Sequence, residues 1–188
     1  MGGKIWVKSV PDEGSTFLFT ANFQKAAAGF VVSPERKTDK LPLSDLTAKE
    51  ILLVEDNHFN RDLAQIVLEK AGLKVSVAEN GLAALGLICS QRFDVILMDI
   101  QMPKMDGFEA TRLIRQCEAG GSGNGEHSEL LQKLKGILEG TKTPIVAMTA
   151  NAMPEDREKC LKAGMDDYVT KPFVPDEVFA VIRRVVAA

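Results

Sequence analysis

The chain has 188 residues, 45% hydrophobic, 26% charged and 6% aromatic, which is enough apolar material for one or two packed domains and unlike disordered or collagen-like chains. Lys and Arg number 23 against 26 Asp and Glu, and the net charge of −3 argues against a nucleic-acid surface or a polybasic membrane patch. No apolar run approaches the roughly 18 residues of a membrane span and no signal-peptide core is visible, so a soluble, cytoplasmic chain is expected. Cys89, Cys117 and Cys160 lack CxxC spacing and read as packing residues in a reducing compartment.

In chain order, the first segment alternates as strands do. Ile5 and Val7 precede the turn Pro11-Asp12-Glu13-Gly14, after which Phe17, Phe19, Ala21 and Phe23 recur at every second position. This predicts a hairpin over residues 1–24, with Trp6 as part of it; two strands alone are marginal in water, so the hairpin needs a partner or is the edge of a larger sheet. Residues 25–48, with AAAG, Pro34, Pro42 and mixed charges, read as a linker. Before Lys49 there are 6 basic and 5 acidic residues, and from Lys49 onward 17 and 21, so the acidic excess belongs to the second part.

From Ile51 the pattern changes to short apolar runs, ILLV (51–54), KVSV (74–77), VILM (95–98), PIVAM (144–148) and DYV (167–169), which suit parallel strands covered on both faces. Between them, Phe59, Leu63, Ile66 and Val67 mark one helix stripe, and Val178, Phe179, Ile182, Val185 and Val186 another. Strand and helix alternate, which predicts a doubly wound α/β domain over 49–188. Gly72 and Gly164 stand where a glycine ends a helix, and Pro154 suits a first helical position. The 26 residues Glu118 to Thr143 interrupt the rhythm, where a connection of about 2 to 6 residues is usual. This insertion at 118–143 opens with a glycine-rich tether and continues in a helix around Ser128 to Glu139, with Leu130, Leu131, Leu134, Ile137 and Leu138 on one stripe. The stripe has to be covered, either by its own domain beside the preceding helix or by a docked partner.

In open parallel sheets ligands bind beyond the carboxyl ends of the strands. There ILLV is followed by Glu55-Asp56, VILM by Asp99, PIVAM by Thr149 and DYVT by Lys171. Carboxylates about 4 Å apart repel by roughly 4 kcal/mol at an effective dielectric near 20, so this cluster calls for cations. Lys171 supplies one; oxygen-only ligands suit Mg²⁺ or Mn²⁺ rather than zinc for another. Asp56 alone could be a helix cap, whereas Asp99 leads into a loop and has no such task.

The segments ILLVEDN (51–57), VILMDIQMPKMDG (95–107), VAMTANA (146–152) and KAGMDDYVTKPF (162–173) together resemble the receiver domain of two-component response regulators, and more narrowly the receivers attached to hybrid sensor histidine kinases. The opening MGGKIWVKSVPDEGSTFLFTANF resembles the last hairpin of a histidine-kinase ATP-binding domain, without that domain's nucleotide motifs or the kinase's phosphorylated histidine. The resemblance implies a flavodoxin-like five-stranded parallel sheet of order 2-1-3-4-5, with Asp99 as phosphoacceptor. It further implies Mg²⁺ held by Asp56, Asp99 and the backbone carbonyl of Gln101, with Glu55, in place of the commoner Asp, acting through water. Lys171 and Thr149 would contact the phosphoryl oxygens, and Tyr168 would follow Thr149 inward as the switch. The implied partners are a histidine kinase domain and a histidine phosphotransfer protein; neither nucleic acid nor membrane contact is expected of this fragment, although the parent kinase could be membrane-anchored. The fragment itself is not expected to be an enzyme. The competing reading is a Mg²⁺-dependent phosphohydrolase with an aspartyl nucleophile, which expects a second Asp two residues on, where Gln101 stands. His58 reads as a polar residue of a first helical turn, His127 as a loop residue, and Met98, Met102 and Met105 as packing.

Overall fold

The computed structural model describes residues 2–11, 14–22, 46–121, 127–150 and 154–187. The chain divides into two compact units, Met1–Thr38 and Asp39–Ala188. In the first, β1 (Ile5–Val10) and β2 (Gly14–Phe19) pair antiparallel, with Ile5 opposite Phe19 and Val7 opposite Phe17. Period-2 geometry places these four side chains on one face, and all four are exposed. The alternation expected through Phe23 stops at Phe19: Ala21 follows β2, and Phe23, turn residues 12 and 13, and linker residues 25–45 lie outside the described residues.

The second unit is β3 (Glu50–Val54), α1 (His58–Lys70), β4 (Lys74–Ala78), α2 (Gly81–Ile88), β5 (Val95–Asp99), α3 (Gly107–Glu118), α4 (Ser128–Leu138), β6 (Ile145–Thr149), α5 (Pro154–Lys162), β7 (Asp167–Thr170) and α6 (Pro175–Val186). Its sheet runs β4-β3-β5-β6-β7, every pair parallel, which is the order 2-1-3-4-5 within this unit. The inner strands are continuously apolar because both faces are covered. Leu52, Val54, Ile96 and Met98 enter the core under α2, α3, α4 and α5, while the alternate residues Ile51, Leu53, Val95 and Leu97 enter the core under α1 and α6. Side chains of Asn57, Asn80 and Asp106 cap the N-termini of α1, α2 and α3, and Gly72 and Gly164 adopt positive φ just past α1 and α5, as the sequence predicts. Cys89, Cys117 and Cys160 are not disulfide-bonded, and burial pushes the first two above the ordinary thiol range, as inert packing groups require. Among the described residues, no helix is long and apolar enough to cross a membrane.

Two expectations need correction. The stripe Phe59, Leu63, Ile66 faces solvent, at 74%, 57% and 49% exposure, and α1 packs inward through Ala64 and Leu68, with Val67 at the border. Periodicity shows which residues share a face of a helix, but not which face turns inward, and small Ala64 lets the helix lie close to the sheet. Leu46, placed in the linker, is fully buried in the α1/α6 core, and Ala48 N–H donates to the Gly72 carbonyl (2.8 Å), so these residues pack with the domain.

The insertion folds back on its own domain. Leu131, Leu134 and Leu138 are buried with Ile88, Phe93, Ile114 and Cys117, and Arg92 Nη2 donates to the Ile137 carbonyl (2.9 Å) near the C-terminus of α4. Its two ends are pinched together by Glu118, whose carbonyl accepts from Gly140 N–H (3.1 Å) and whose Oε1 accepts from Thr143 N–H (2.8 Å). Arg115 completes the neck: Nη1 binds Glu118 Oε2 (2.6 Å) and the Thr143 carbonyl (2.9 Å), Nη2 binds Asp166 Oδ2 (2.7 Å), and Nε donates to the Gly164 carbonyl (2.8 Å). Asp166 Oδ2 also accepts from Ile145 N–H (2.8 Å), so one guanidinium ties α3, the insertion and the beginnings of β6 and β7. Leu134→Ala removes a side chain with no exposure at the centre of this packing and should cost about 3 kcal/mol in denaturant unfolding, against under about 0.5 for Lys133→Ala on the outer face.

Candidate functional site

The parallel sheet delivers its site at one edge. Glu55 and Asp56 follow β3, Asp99 ends β5, Thr149 ends β6 and Lys171 follows β7. All five line one open cleft of about 450 Å³, together with Asn57, Asn60, Gln101 and Lys159. Glu55 N–H extends the β3–β4 pairing by donating to the Ala78 carbonyl (3.0 Å), which turns the Glu55 side chain inward and leaves Asp56 exposed. Asn57 caps α1 by accepting from Phe59 N–H (3.0 Å) and Asn60 N–H (3.3 Å). Asp56 therefore has no capping task and is free to serve the cleft.

Asp99 is held from its other side. Its Oδ1 accepts from Gln101 N–H (3.3 Å), and the beginning of α3 lies against its backbone: Gly107 N–H donates to the Ile100 carbonyl (3.0 Å), and a Cβ at Gly107 would sit 2.1 Å from the Asp99 carbonyl oxygen. Glycine in the MDG segment is thus required by close approach, with Asp106 capping the helix through Glu109 N–H (2.7 Å). Across the cleft, Lys171 N–H donates to the Thr149 carbonyl (2.7 Å), and the Lys171 ammonium stands 2.6 Å from both Asp99 Oδ2 and Glu55 Oε2.

Burial pushes the Asp99 carboxyl above the ordinary range; Lys171 and the Gln101 N–H pull it down and Glu55 pushes it further up, leaving it raised. Burial works against the Lys171 ammonium as well, but its hydrogen bonds to Asp99 and Glu55 and their charges hold it above the ordinary lysine value. One carboxylate oxygen each from Glu55, Asp56 and Asp99 lies within 4.8 Å of the others. Lys171 bridges two of these three carboxylates with a single charge, so the donor set fits a small divalent cation with oxygen preference.

The other expected residues lie elsewhere. Tyr168 lines a separate groove of about 990 Å³ with Lys142, Arg157 and Arg184, in which Asp166 and Asp167 are already paired to Lys142 and Arg184. His58 is exposed and stacks on Phe59 at 3.9 Å between ring centroids, and His127 stands at the N-terminal end of α4 without a capping bond. Met98 and Met105 are buried, and Met102 packs partly buried against the same core. Asn60 and Arg61, which hydrogen-bond Glu55, and Lys159, a second cation on the cleft, carry no motif of their own in the sequence. Spacing alone hints at the first two, since a helix beginning at His58 turns residues 60 and 61 back toward the strand it follows.

This sheet order, with an acidic triad and a lysine at the switch between strands, defines a flavodoxin-like domain with a cation-attracting cleft. The sequence matches the response regulator receiver domain over residues 51–122 and 127–183, broken only inside the insertion, and the chain belongs to that family, the receiver domains of two-component phosphorelays. Probable histidine kinase 6 of Oryza sativa subsp. japonica is 40% identical over 162 residues, covering 83% of this chain and 16% of that protein. Sensor histidine kinase GacS of Pseudomonas protegens is 35% identical over 165 residues, covering 88% and 16%. The chain thus spans a small part of the length of these relatives. Among solved structures, the receiver domain of sensor histidine kinase PA1611 from Pseudomonas aeruginosa, with magnesium coordinated in its active-site cleft, is 37% identical with a TM-score of 0.58, covering 76% of this chain and all of that one. The receiver domain of Ssk1 from Saccharomyces cerevisiae, co-crystallised with the histidine phosphotransfer protein Ypd1, is 29% identical with a TM-score of 0.62, covering 76% and 91%.

The raised carboxyl of Asp99 has a consequence for stability. A group whose pKa is higher folded than unfolded loses stability as pH rises through the folded value, so ionised Asp99 destabilises the domain at neutral pH. Asp99→Asn should therefore raise the thermal midpoint at pH 7 in chelator, and the gain should vanish below about pH 3.9, where unfolded Asp is itself protonated. Thermal melts of both proteins across that pH range are the check.

Proposed function

We propose that this chain accepts a phosphoryl group on Asp99 from a phosphohistidine and passes it to the histidine of a phosphotransfer protein. The observation that carries the reading is the Lys171 bridge between Glu55 and Asp99 beside exposed Asp56, at a sheet edge in a receiver fold. An Asp99 oxygen attacks phosphorus, a P–O bond forms as the P–N bond to the donor imidazole breaks, and the product is an acyl phosphate. Bound Mg²⁺, or Mn²⁺, would supply charge neutralisation for the transferring oxygens. Asp56, Asp99 and the Gln101 carbonyl would hold the cation, with Glu55 acting through water. Lys171 exchanges its Asp99 contact for a phosphoryl oxygen, Thr149 donates to another, and Tyr168 follows Thr149 as the switch.

The exposed apolar face of α1, Phe59, Leu63 and Ile66, is read as the docking surface for the phosphotransfer protein, because it continues from the helix whose first turn walls the cleft. The co-crystallised Ssk1 receiver supports a partner of this class. The exposed apolar face of the hairpin supports its reading as the edge of a histidine-kinase ATP-binding domain, joined through the linker at 25–48 to a receiver in a hybrid kinase; the fragment then has no kinase activity of its own and works in the cytoplasm, whether or not the parent is membrane-anchored.

Incubation with acetyl phosphate and Mg²⁺ should add one phosphoryl group in intact-mass spectra and none to Asp99→Ala. Labelling that persists in the variant, or steady turnover of a phosphomonoester by the wild type, would overturn the assignment, the second in favour of a hydrolase. Leu63→Asp should leave acetyl-phosphate labelling intact and slow transfer to the phosphotransfer protein at least tenfold in single-turnover assays.

A further inference from the structure

Glutamate carries one more rotatable bond than aspartate, so a glutamate carboxylate is loosely aimed unless its oxygens are held. In Glu55 both are held. Lys171 Nζ stands 2.6 Å from Oε2, and Asn60 Nδ2 donates to Oε1 at 3.1 Å. A carboxylate only accepts, so the Asn60 amide must present its NH₂ group and turn its oxygen away. Below the carboxylate, Arg61 Nη1 donates to the Glu55 carbonyl at 3.1 Å, anchoring the main chain while Asn60 anchors the side chain. Asn60 is placed in turn by the cap of α1, since its own N–H donates to Asn57 Oδ1 at 3.3 Å. It lines the cleft but contributes no carboxylate to the triad.

We infer that Asn60 is a positioning residue for the cation: it holds Glu55 turned toward Asp56 and Asp99 and so sets the Mg²⁺ affinity of the cleft, without being a ligand. With the amide gone, one of the two contacts that fix the Glu55 carboxylate is lost, and the remaining pull of the Lys171 ammonium draws it away from the other two acids. Partners that orient metal-binding groups in this way are commonly worth about 10- to 100-fold in affinity, and one acting on a group that reaches the cation through water belongs at the lower end.

The inference rests on the phosphoacceptor reading only in requiring Mg²⁺ in this cleft, and a double-mutant cycle separates the two. The whole chain is titrated with MgCl₂ in a calorimeter at constant ionic strength, as wild type, Asn60→Ala, Glu55→Asp and the double variant. Asn60→Ala should weaken Mg²⁺ binding about tenfold with an unchanged thermal midpoint in EDTA. In the Glu55→Asp background, where the shorter side chain falls short of the amide, it should change nothing further. Should Asn60→Ala lower the thermal midpoint, Asn60→Ser, which keeps a polar side chain and removes the amide, takes its place in the cycle with the same expectation. Wild-type affinity in the Asn60 variant, or an equal loss in both backgrounds, would overturn the positioning role. Wild type that fails to bind Mg²⁺ would overturn the phosphoacceptor reading and this inference together.

Discussion

Everything at the working edge of this domain follows from three carboxylates crowded against one ammonium. Glu55 and Asp99 are buried and share Lys171 at 2.6 Å each, while Asp56 stands beside them exposed. In an interior of reduced dielectric such a group of like charges is stable only with positive charge in reach, so a site that attracts cations is the electrostatic consequence of the fold. Burial, with a smaller push from Glu55, holds the Asp99 carboxyl above the ordinary range against the pull of Lys171.

Bringing these groups together takes four strands far apart in sequence, and the parallel sheet does so by ending each strand at the same rim. Its cost is an interior covered on both faces, met by continuous apolar runs in β3, β5 and β6 and by two helix layers. That cost is why so much was legible beforehand. An apolar run of four or five residues followed at once by Asp, Thr or Lys announces both the strand and the rim residue, so the sheet and the positions of Glu55, Asp56, Asp99, Thr149 and Lys171 could be read from pattern alone.

What pattern could not show was orientation. Phe59, Leu63 and Ile66 have ideal helical spacing yet face solvent, because two short-to-medium side chains, Ala64 and Leu68, meet the sheet instead. Leu46 sits among linker-like residues and is recognisable as core only through its three-dimensional neighbours. Asn60 is invisible for another reason: a single amide in a first helical turn has no compositional signature, and its role arises from the turn between Glu55 and the cap at Asn57. Tyr168, which resemblance ties to Thr149, opens onto a groove separate from the acidic cleft.

The pinched base of the inserted segment bears on how such a domain can vary. Because Glu118 bonds Gly140 and Thr143 across the neck, the chain leaves and rejoins the sheet scaffold at nearly one point, and the strands on either side feel the same anchorage whatever lies between. Lengthening a closed loop is cheap, about 0.6 kcal/mol per doubling, so this position is a natural port for grafted sequence. Descendants of this chain could acquire, enlarge or exchange a whole accessory module there while the acidic rim, at the other ends of the strands, goes on unaltered.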